Sequence, residues 1–363
     1  MTGIYLQPIG LLYGEVARDA VSLGAALPLA GSSIAFTATR LWEGEPGNVK
    51  FAIVRTSTIQ AIDEPRVRDL LDRIVAPRAA IAGVSMDRPR IMGIVNVTPD
   101  SFSDGGEHLE PSAAIEHAMT LSNSGADFVD IGGESTRPGS EPISAEEELR
   151  RILPVLSGLT GMPAPVSIDT RKPEVMREAA KIRADIINDV SALTSSPDSP
   201  ATVAELKKPA VLMHAQGDPR TMQDNPTYQD VVIEVYDYLE RRIEAAAAAG
   251  LARSSMIADP GIGFGKTALH NASLLQSISL FHGLGAPLLT GTSRKRSLQR
   301  LTGAKPPKEQ AAGNIAAALD AVSQGVQIVR VHDVEETRQA LAVWNWLRGA
   351  AKPQRRSRVS PLV

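Results

Sequence analysis

The chain has 363 residues, with 38 basic and 41 acidic side chains, a formal net charge of -3 and no cysteine. The near balance of charge gives no electrostatic basis for binding nucleic acid or an anionic membrane surface. The lack of cysteine excludes disulfides, thiolate catalysis and zinc sites with cysteine ligands. No apolar run reaches the roughly 20 residues of a membrane helix, and the N-terminus lacks the basic start of a signal peptide. We therefore expect a soluble, cytoplasmic protein.

Residues 1–88 do not share the periodic pattern of the rest of the chain. Two runs rich in β-branched and aromatic residues, IAFTATRLW and VKFAIVRTS, flank the turn-rich segment EGEPGN, which predicts a hairpin. The segment that follows predicts a helix from Pro65 to near Gly83. These elements predict a small α+β accessory region, without catalytic residues, that packs on the rest of the chain or on a second subunit.

From about Arg90 onward, apolar runs alternate with segments of helical patterning, and eight times such a run ends in a polar or charged residue. The eight residues are Asn96, Glu134, Asp169, Asn188, His214, Asp259, Ser293 and His332. Eight βα units predict an α/β fold, a (β/α)8 TIM barrel over residues 89–350, with its chemistry at the C-terminal ends of the strands. The basic, proline-rich residues 351–363 are expected to form a flexible tail.

Three of these strand-end residues suit one planar ligand. Asp169, Asn188 and Asp259 end the third, fourth and sixth strands. They would offer carboxylate and amide acceptors to a flat heterocycle that carries amino and ring N–H donors. An isolated acid at a strand end more commonly caps the helix that follows, but three on one face favour a binding site.

The first and second βα loops, residues 96–106 and 132–140, are polar and rich in glycine. Asn96 offers an amide oxygen to a hard cation such as Mg²⁺. Arg137 is of the type that binds an anion from a loop that moves as a lid. We expect both loops to close over the site after a first substrate has bound.

The segment DPGIGFGKT, residues 259–267, resembles a phosphate-binding loop only superficially. A P-loop requires glycine five residues before the glycine of its Gly-Lys-Thr triplet, and that position is Pro260. We instead expect Phe264 to form a wall against a ring. The last two strands end in GTSRK and RVHD, where barrels often bind anions. Arg330 and His332 are two apart on one strand, so they project to the same side and suit pyrophosphate.

In their order along residues 90–345, these motifs resemble those of dihydropteroate synthases. The matching segments are IMGIVNVTPDSFSDGG, GADFVDIGGESTRPGS, VSIDTRKPEVMREAA, DIINDVSAL, VLMHAQGDPRTMQ, IADPGIGFGKT, GTSRK and IVRVHDV. The resemblance implies a transferase of folate biosynthesis that joins 6-hydroxymethyl-7,8-dihydropterin diphosphate to 4-aminobenzoate, giving 7,8-dihydropteroate and pyrophosphate. It also implies Mg²⁺ as a cofactor, a target for sulfonamides and a homodimer.

The resemblance implies a role for each matching residue. The pterin-binding set is Asp169, Asn188, Met213, Asp259, Phe264 and Lys295. The diphosphate set is Asn96, Arg330 and His332, with Asn96 also as the metal ligand. The aminobenzoate set is Phe102, Thr136, Arg137, Pro138 and Ser293. The catalytic set is Asp169, Lys295, Arg330 and His332. Pyrophosphate would leave first, and the arylamine would then attack the stabilised pterin cation.

Two other functions fit part of the sequence. A pterin-binding methyltransferase would share the barrel and some of the acidic residues, but a methyl donor has no diphosphate for the last two loops to hold. A catalytically inactive paralogue would bind pterin as a regulator, although every expected site residue is present. Ala215, and the Arg-Ser-Leu that follows Lys295, depart from the usual pattern at the pocket rim.

Overall fold

The computed structural model describes residues 3–98, 111–135, 140–217, 221–303, 306 and 309–349. The first elements are β1 (Gly3–Tyr13), α1 (Gly14–Ser22), β2 (Leu27–Pro28), β3 (Ile34–Glu45), β4 (Asn48–Arg55), α2 (Thr56–Ile59) and α3 (Pro65–Val75). The middle elements are β5 (Arg90–Asn96), α4 (Pro111–Asn123), β6 (Phe128–Gly132), α5 (Ala145–Gly158), β7 (Val166–Asp169), α6 (Pro173–Ile182), β8 (Ala184–Asp189), α7 (Ser199–Leu206) and β9 (Ala210–Met213). The last elements are α8 (Val231–Ala248), β10 (Met256–Asp259), α9 (Ala268–Gln276), β11 (Leu289–Thr290), α10 (Arg296–Thr302), α11 (Ala311–Ser323), β12 (Ile328–Val331) and α12 (Val334–Leu347).

Strands β5 to β12 form one parallel sheet in the order β10-β9-β8-β7-β6-β5-β12-β11. The sheet closes on itself, because Ala258 of β10 forms a parallel bridge with Leu288, just before β11. Helices connect the strands. The predicted (β/α)8 barrel is therefore confirmed. Within the described ranges, none of the helices combines the length and apolar character that crossing a membrane requires.

The interior of the barrel is an apolar layer sealed from below. Its members are Met92, Phe128, Ile186, Val211, Ile257, Leu289 and Ile328, one from each strand except β7. Ile81 and Met86, from the segment that leads into β5, belong to the same buried cluster. They form the floor of the barrel at the N-terminal ends of the strands. The barrel centre is thus a packed core, and any ligand must bind above it.

The N-terminal region forms an antiparallel sheet around the long strand β3. The strand pairs with β1 on one side and with β2 and β4 on the other. Glu45 pairs with Asn48 across the predicted hairpin. The helix α3 ends at Val75, so the predicted end near Gly83 was wrong. Pro77 accounts for the difference, because the residue before a proline avoids helical backbone, and Ala76 is extended, with φ -59 and ψ 133.

This region packs against the outer helices of the barrel. Tyr5 donates a hydrogen bond of 2.9 Å from its hydroxyl to Asp237 Oδ1, and its ring meets the edge of Tyr236 on α8 at 5.3 Å. Tyr13 donates to the carbonyl oxygen of Ser323 at 2.9 Å and packs edge-on against Trp344 at 5.8 Å. One apolar core therefore runs from the β1–β3 sheet into the barrel helices. The boundary at residue 88, between an accessory region and the barrel, stays a prediction.

Two arginines of α3 strengthen the same contact. Arg66 holds both carboxylate oxygens of Glu240 at 2.8 Å, and Arg73 donates to Glu240 Oε1 at 3.0 Å. The pairs are partly exposed, and exposed ion pairs contribute little to stability. We therefore assign most of the docking free energy to the apolar contacts and the role of orientation to these arginines.

Met86 gives a test of the barrel floor. Its side chain is 1% exposed, and Met86→Ala leaves a cavity under the barrel that should cost about 2–5 kcal/mol of unfolding free energy. Met86→Leu, which nearly conserves volume, should cost less than about 1.5 kcal/mol. Chemical denaturation of both variants measures the difference. Equal stabilities of Met86→Ala and the wild type would show that the floor does not depend on this residue.

Candidate active site

A polar layer lies directly above the apolar floor. It follows from the alternation of side chains along a strand, because residues two apart face the same side. The residues two positions beyond the floor residues of five strands are Asp130, Asn188, Met213, Asp259 and Arg330. Their immediate neighbours, such as Val129 and Val331, belong to the outer core between strands and helices. The fold therefore gathers these five side chains at the C-terminal mouth of the barrel.

Arg330 connects three strands of this layer. Its Nε donates to Asp130 Oδ2 at 2.6 Å, and its Nη2 donates to Asp169 Oδ2 at 2.8 Å. Asn188 Nδ2 donates to the same oxygen of Asp130 at 3.0 Å. Because Asn188 donates through its amide nitrogen, its Oδ1 is left to accept from a ligand.

Burial sets the charge of the acids at the mouth. It raises the pKa of Asp169 to about 7, and the nearby Asp130 carboxylate adds to the shift, while Arg330 opposes it. Burial also raises the pKa of Asp259, against the Gly261 N–H that donates to Asp259 Oδ1 at 2.7 Å. A carboxyl group that titrates near neutrality, as Asp169 does, accepts or donates a hydrogen bond at little cost. Asp169 and Asp259 are therefore suited to a heterocycle that presents hydrogen-bonding groups on one edge.

Phe264 and Lys295 form one wall of the pocket. Lys295 Nζ lies 4.0 Å from the centroid of the Phe264 ring, within the range of a cation–π contact. Gly263, at φ +85, makes room for this pair, because a Cβ there would lie 2.9 Å from Lys295 Cδ. The sequence predicted Phe264 as a wall, and the structure places it beside Lys295.

Ser293 and His332 meet at the ends of the last two strands. Ser293 Oγ lies 2.9 Å from His332 Nδ1 and accepts from the His332 backbone N–H at 3.3 Å. Arg294, with φ +58, donates its backbone N–H to Asn314 Oδ1 at 3.0 Å. These contacts fix the GTSRK and RVHD segments against each other, next to Arg330. A hydroxyl, an imidazole and a guanidinium are thus close enough to serve one anion.

Asn96 lies at the rim, close to Gly132 and Asp169. A Cβ added to Gly132 would be 3.8 Å from Asn96 Oδ1 and 3.9 Å from Asp169 Oδ2, so both oxygens lie next to this glycine. Across the described part of the chain, no three His, Asp or Glu residues are grouped to hold a metal ion. Mg²⁺ typically takes one or two protein oxygens and completes its shell with water and substrate phosphate. The position of Asn96 fits this manner of binding. It does not fit a site in which all ligands come from the protein.

Four of the predicted site residues lie outside the described residues: Phe102, Thr136, Arg137 and Pro138. The near end of the second loop is anchored, because Glu134 accepts from the Ile143 N–H at 3.1 Å and from Lys172 Nζ at 2.9 Å. Ser293 is the member of the predicted aminobenzoate set that the structure describes.

Sequence reasoning missed two residues of this site, Asp130 and Lys266. It considered the residue after each apolar run, and Asp130 lies inside a run, within DFVDIGG. The signal was present, since Asp130 has the same facing as Phe128 two positions earlier. Lys266 was noted only in rejecting a P-loop, yet its side chain is 3% exposed and surrounded by hydrogen-bond acceptors.

The comparisons with known proteins cover the barrel. Residues 92–332 match the family model described as "Pterin binding enzyme". The dihydropteroate synthase of Escherichia coli K12 is 47% identical over 264 residues, which are 72% of this chain and 93% of the relative. The chain belongs to the dihydropteroate synthase family. The family's synthase from Neisseria meningitidis serogroup B is 47% identical over 269 residues, 73% of this chain and 94% of the relative.

A solved member of the family agrees in fold. The structure titled "Xanthomonas albilineans Dihydropteroate synthase with 4-aminobenzoic acid" has a TM-score of 0.71 and 48% identity, and the match covers 76% of this chain and 99% of that one. The (β/α)8 barrel and the transferase activity are therefore those of a dihydropteroate synthase. Because the match takes up nearly all of that chain, about a quarter of the present chain lies beyond it.

The raised pKa of Asp169 predicts a pH dependence of stability. In the unfolded chain the group titrates near 3.8, and in the folded chain near 7, so the folded state binds more protons between these values. Its contribution is fully present below about pH 4 and is lost as pH rises through 7. The unfolding free energy of the wild type should therefore fall relative to Asp169→Asn over this range. Asp63→Asn, at an exposed site, controls for a lost negative charge. A difference that does not vary with pH would contradict the assignment.

Proposed function

We propose that this site joins 6-hydroxymethyl-7,8-dihydropterin diphosphate to 4-aminobenzoate. The observation that carries the proposal is the C-terminal mouth of the barrel, where Asp169, Asn188 and Asp259 offer buried acceptors near the Phe264 wall. Solved relatives from Xanthomonas albilineans are described with 4-aminobenzoic acid and with 7,8-dihydropteroate. Relatives named dihydropteroate synthase at 40–47% identity favour this activity over a methyltransferase.

The pterin ring would bind between the acids and the wall. Its amino and ring N–H groups would donate to Asp169, Asp259 and Asn188 Oδ1, and the apolar faces of the ring would contact Phe264 and Met213. Each buried acceptor that is left unpaired costs about 1–3 kcal/mol. A ring that satisfies all three acceptors is therefore strongly preferred over one that lacks the matching donors.

The chemical step needs no protein nucleophile. The bond between the pterin methylene carbon and the diphosphate oxygen breaks, and its electron pair leaves with pyrophosphate. The arylamine nitrogen then forms the new bond to that carbon and loses a proton. Arg330, His332 and Ser293 would hold the departing charge, and the buried acids would stabilise the positive charge that develops on the pterin. Orientation and electrostatic stabilisation would supply most of the rate.

Mg²⁺ would be held at the rim by Asn96, together with oxygens of the substrate diphosphate. When bound, it would neutralise part of the negative charge that leaves with pyrophosphate. The nearness of Asn96 Oδ1 and Asp169 Oδ2 to Gly132 supports this position, because it places two oxygens at the same part of the rim.

The aminobenzoate pocket would be completed by the first two loops after the pterin diphosphate binds. Of the proposed lining residues, Ser293 lies beside His332, at the edge where pyrophosphate would leave. That position would place the amine near the methylene carbon once the bond to pyrophosphate has broken. The remaining four, Phe102, Thr136, Arg137 and Pro138, belong to those two loops.

Assembly and location remain predictions of the resemblance: a homodimer in the cytoplasm. The surface that supports a dimer is the outer face of α12, where Val343 and Trp346 are each 56% exposed and Leu347 is 69% exposed. Trp344 is not part of this face, because its ring packs against Tyr13. Three large apolar side chains on one helix form the kind of patch that a second subunit covers.

The activity is tested by following pyrophosphate release. We expect pyrophosphate release coupled to formation of 7,8-dihydropteroate only when the pterin diphosphate and 4-aminobenzoate are both present, and slower release when a chelator removes Mg²⁺. Binding of pterin without release would identify an inactive paralogue. Methyl transfer from a methylated pterin, without pyrophosphate release, would identify the methyltransferase. Pyrophosphate release at an unchanged rate without divalent ions would contradict only the proposed Mg²⁺ site and not the proposed activity.

The dimer is tested by light scattering at micromolar concentration. Trp346→Ser should shift the protein towards monomer, because it removes the largest exposed ring of the α12 face. Leu269→Ser, at a residue of α9 that is 79% exposed, serves as a control for loss of a surface apolar group. A wild-type protein that is monomeric, or a dimer that Trp346→Ser leaves intact, would contradict this interface.

A further inference from the structure

A buried lysine lies behind the proposed pterin site. Lys266 lies in the loop between β10 and α9, and it is 3% exposed. Its Nζ lies 2.9 Å from His214 Nδ1, 3.2 Å from His214 O, 2.9 Å from Gly261 O and 3.0 Å from Phe264 O. An ammonium group has three donors, so four acceptors at these distances saturate it. Lys266 therefore has no donor left for a substrate.

Burying the Lys266 ammonium in this way lowers the stability of the fold. The four acceptors of Lys266 are a neutral ring nitrogen and three carbonyl oxygens, so none of its hydrogen bonds is to a carboxylate. Removing an ammonium from water without a hydrogen-bonded counter-charge is unfavourable. Burial accordingly lowers the pKa of Lys266 to about 7, although the charge of Asp259 acts against the shift. A packed apolar side chain in this position would avoid that cost.

The hydrogen bonds of Lys266 join the end of β9 to the loop that carries the ring-binding groups. Gly261 accepts from Lys266 through its carbonyl oxygen and donates its N–H to the Asp259 carboxylate at 2.7 Å. Phe264 accepts from Lys266 through its carbonyl oxygen, and its ring lies under Lys295. A Cβ on Gly261 would stand 1.9 Å from His214 O, which shows how closely the two segments approach.

Other side chains hold the same loop in the same manner. Gln223 Nε2 donates to Gly263 O at 2.6 Å, and the Tyr228 hydroxyl donates to Gly265 O at 2.8 Å. Four carbonyl oxygens of this loop thus accept hydrogen bonds from side chains: those of Gly261, Gly263, Phe264 and Gly265. The loop therefore takes its shape from these donors, and Lys266 supplies two of the four contacts.

We propose that Lys266 is a positioning residue for the pterin site, which fixes residues 259–264 so that the Asp259 carboxyl meets the edge and the Phe264 ring meets a face of one heterocycle. His214 completes the arrangement as a neutral acceptor, because burial lowers its pKa to about 2 and Nδ1 faces the lysine. The inference rests on the proposed function only in naming pterin as the ligand.

The primary test is Lys266→Met, which keeps the length of the side chain and removes its donors. We expect the affinity for free 6-hydroxymethylpterin, measured by calorimetry, to fall about 10- to 100-fold, since several carbonyls lose their partner and the loop shifts. The KM for the pterin diphosphate should rise by a similar factor. The kcat at saturation should fall less than the affinity does, because Arg330, His332 and Ser293, which would hold the departing charge, are left in place.

Arg78→Met is the matched control. Arg78 is also a buried cation that donates to three carbonyl oxygens, those of Arg73, Ala76 and His282, but it lies under the N-terminal region, away from the mouth. The Arg78→Met substitution should lower the unfolding free energy while leaving the pterin affinity unchanged. Equal losses of affinity in Lys266→Met and Arg78→Met would reduce the role of Lys266 to general stability and overturn the proposal.

His214→Leu is the second variant, for the case in which Lys266→Met does not fold. It leaves the three carbonyl acceptors in place, so we expect a smaller loss of pterin affinity, about threefold to tenfold. Wild-type affinity in this variant or in Lys266→Met would overturn the proposal. A wild-type protein that binds pterin without releasing pyrophosphate would instead refute the proposed function, and the comparison of variants would still decide the role of Lys266.

Discussion

The site depends on one charge arrangement, the Arg330 guanidinium between the carboxylates of Asp130 and Asp169. Asp130 is 0% exposed, and an acid at that depth needs a cation or a proton. Arg330 supplies the cation, and its planar group places the two carboxylates at fixed angles on different strands. Asn188, which donates to Asp130, takes its orientation from the same arrangement. The resemblance implies that Arg330 binds the diphosphate. Its guanidinium is already hydrogen-bonded to two carboxylates of the protein.

This sharing gives Asp169 its chemical character. Burial and the Asp130 carboxylate both raise the pKa of the Asp169 carboxyl, and Arg330 acts against them. With Arg330, its pKa comes to about 7. A ligand that drew the guanidinium towards a phosphate would weaken its hold on Asp169 and favour the protonated acid. The proposed pterin and diphosphate positions would therefore be electrostatically coupled through this one side chain, although they would bind different parts of the substrate.

The sequence revealed the barrel because each strand is a short apolar run closed by a polar residue, as in APVSI before Asp169. It also placed Asp259 and Phe264 correctly at the mouth. It could not reveal that Arg330 faces Asp130, because that contact spans 200 positions and depends on strand order. Lys266 gave no signal of its own, because lysine is normally a surface residue. Only the fold brings its ammonium between His214 and Gly261.

The contact of Tyr13 with Ser323 and Trp344 joins the two ends of the described chain. Tyr13 and Ser323 are 310 positions apart, and a Cβ on Gly14 would lie 2.2 Å from Arg348 O. During synthesis from the N-terminus, β1 is made first, but its partner surface on α11 and α12 is made last. The N-terminal sheet must therefore wait, with part of its apolar face uncovered, until the ribosome has released almost the entire barrel. Contacts of such long range slow folding. The order of synthesis thus makes this extension one of the last parts of the described chain to reach its final packing.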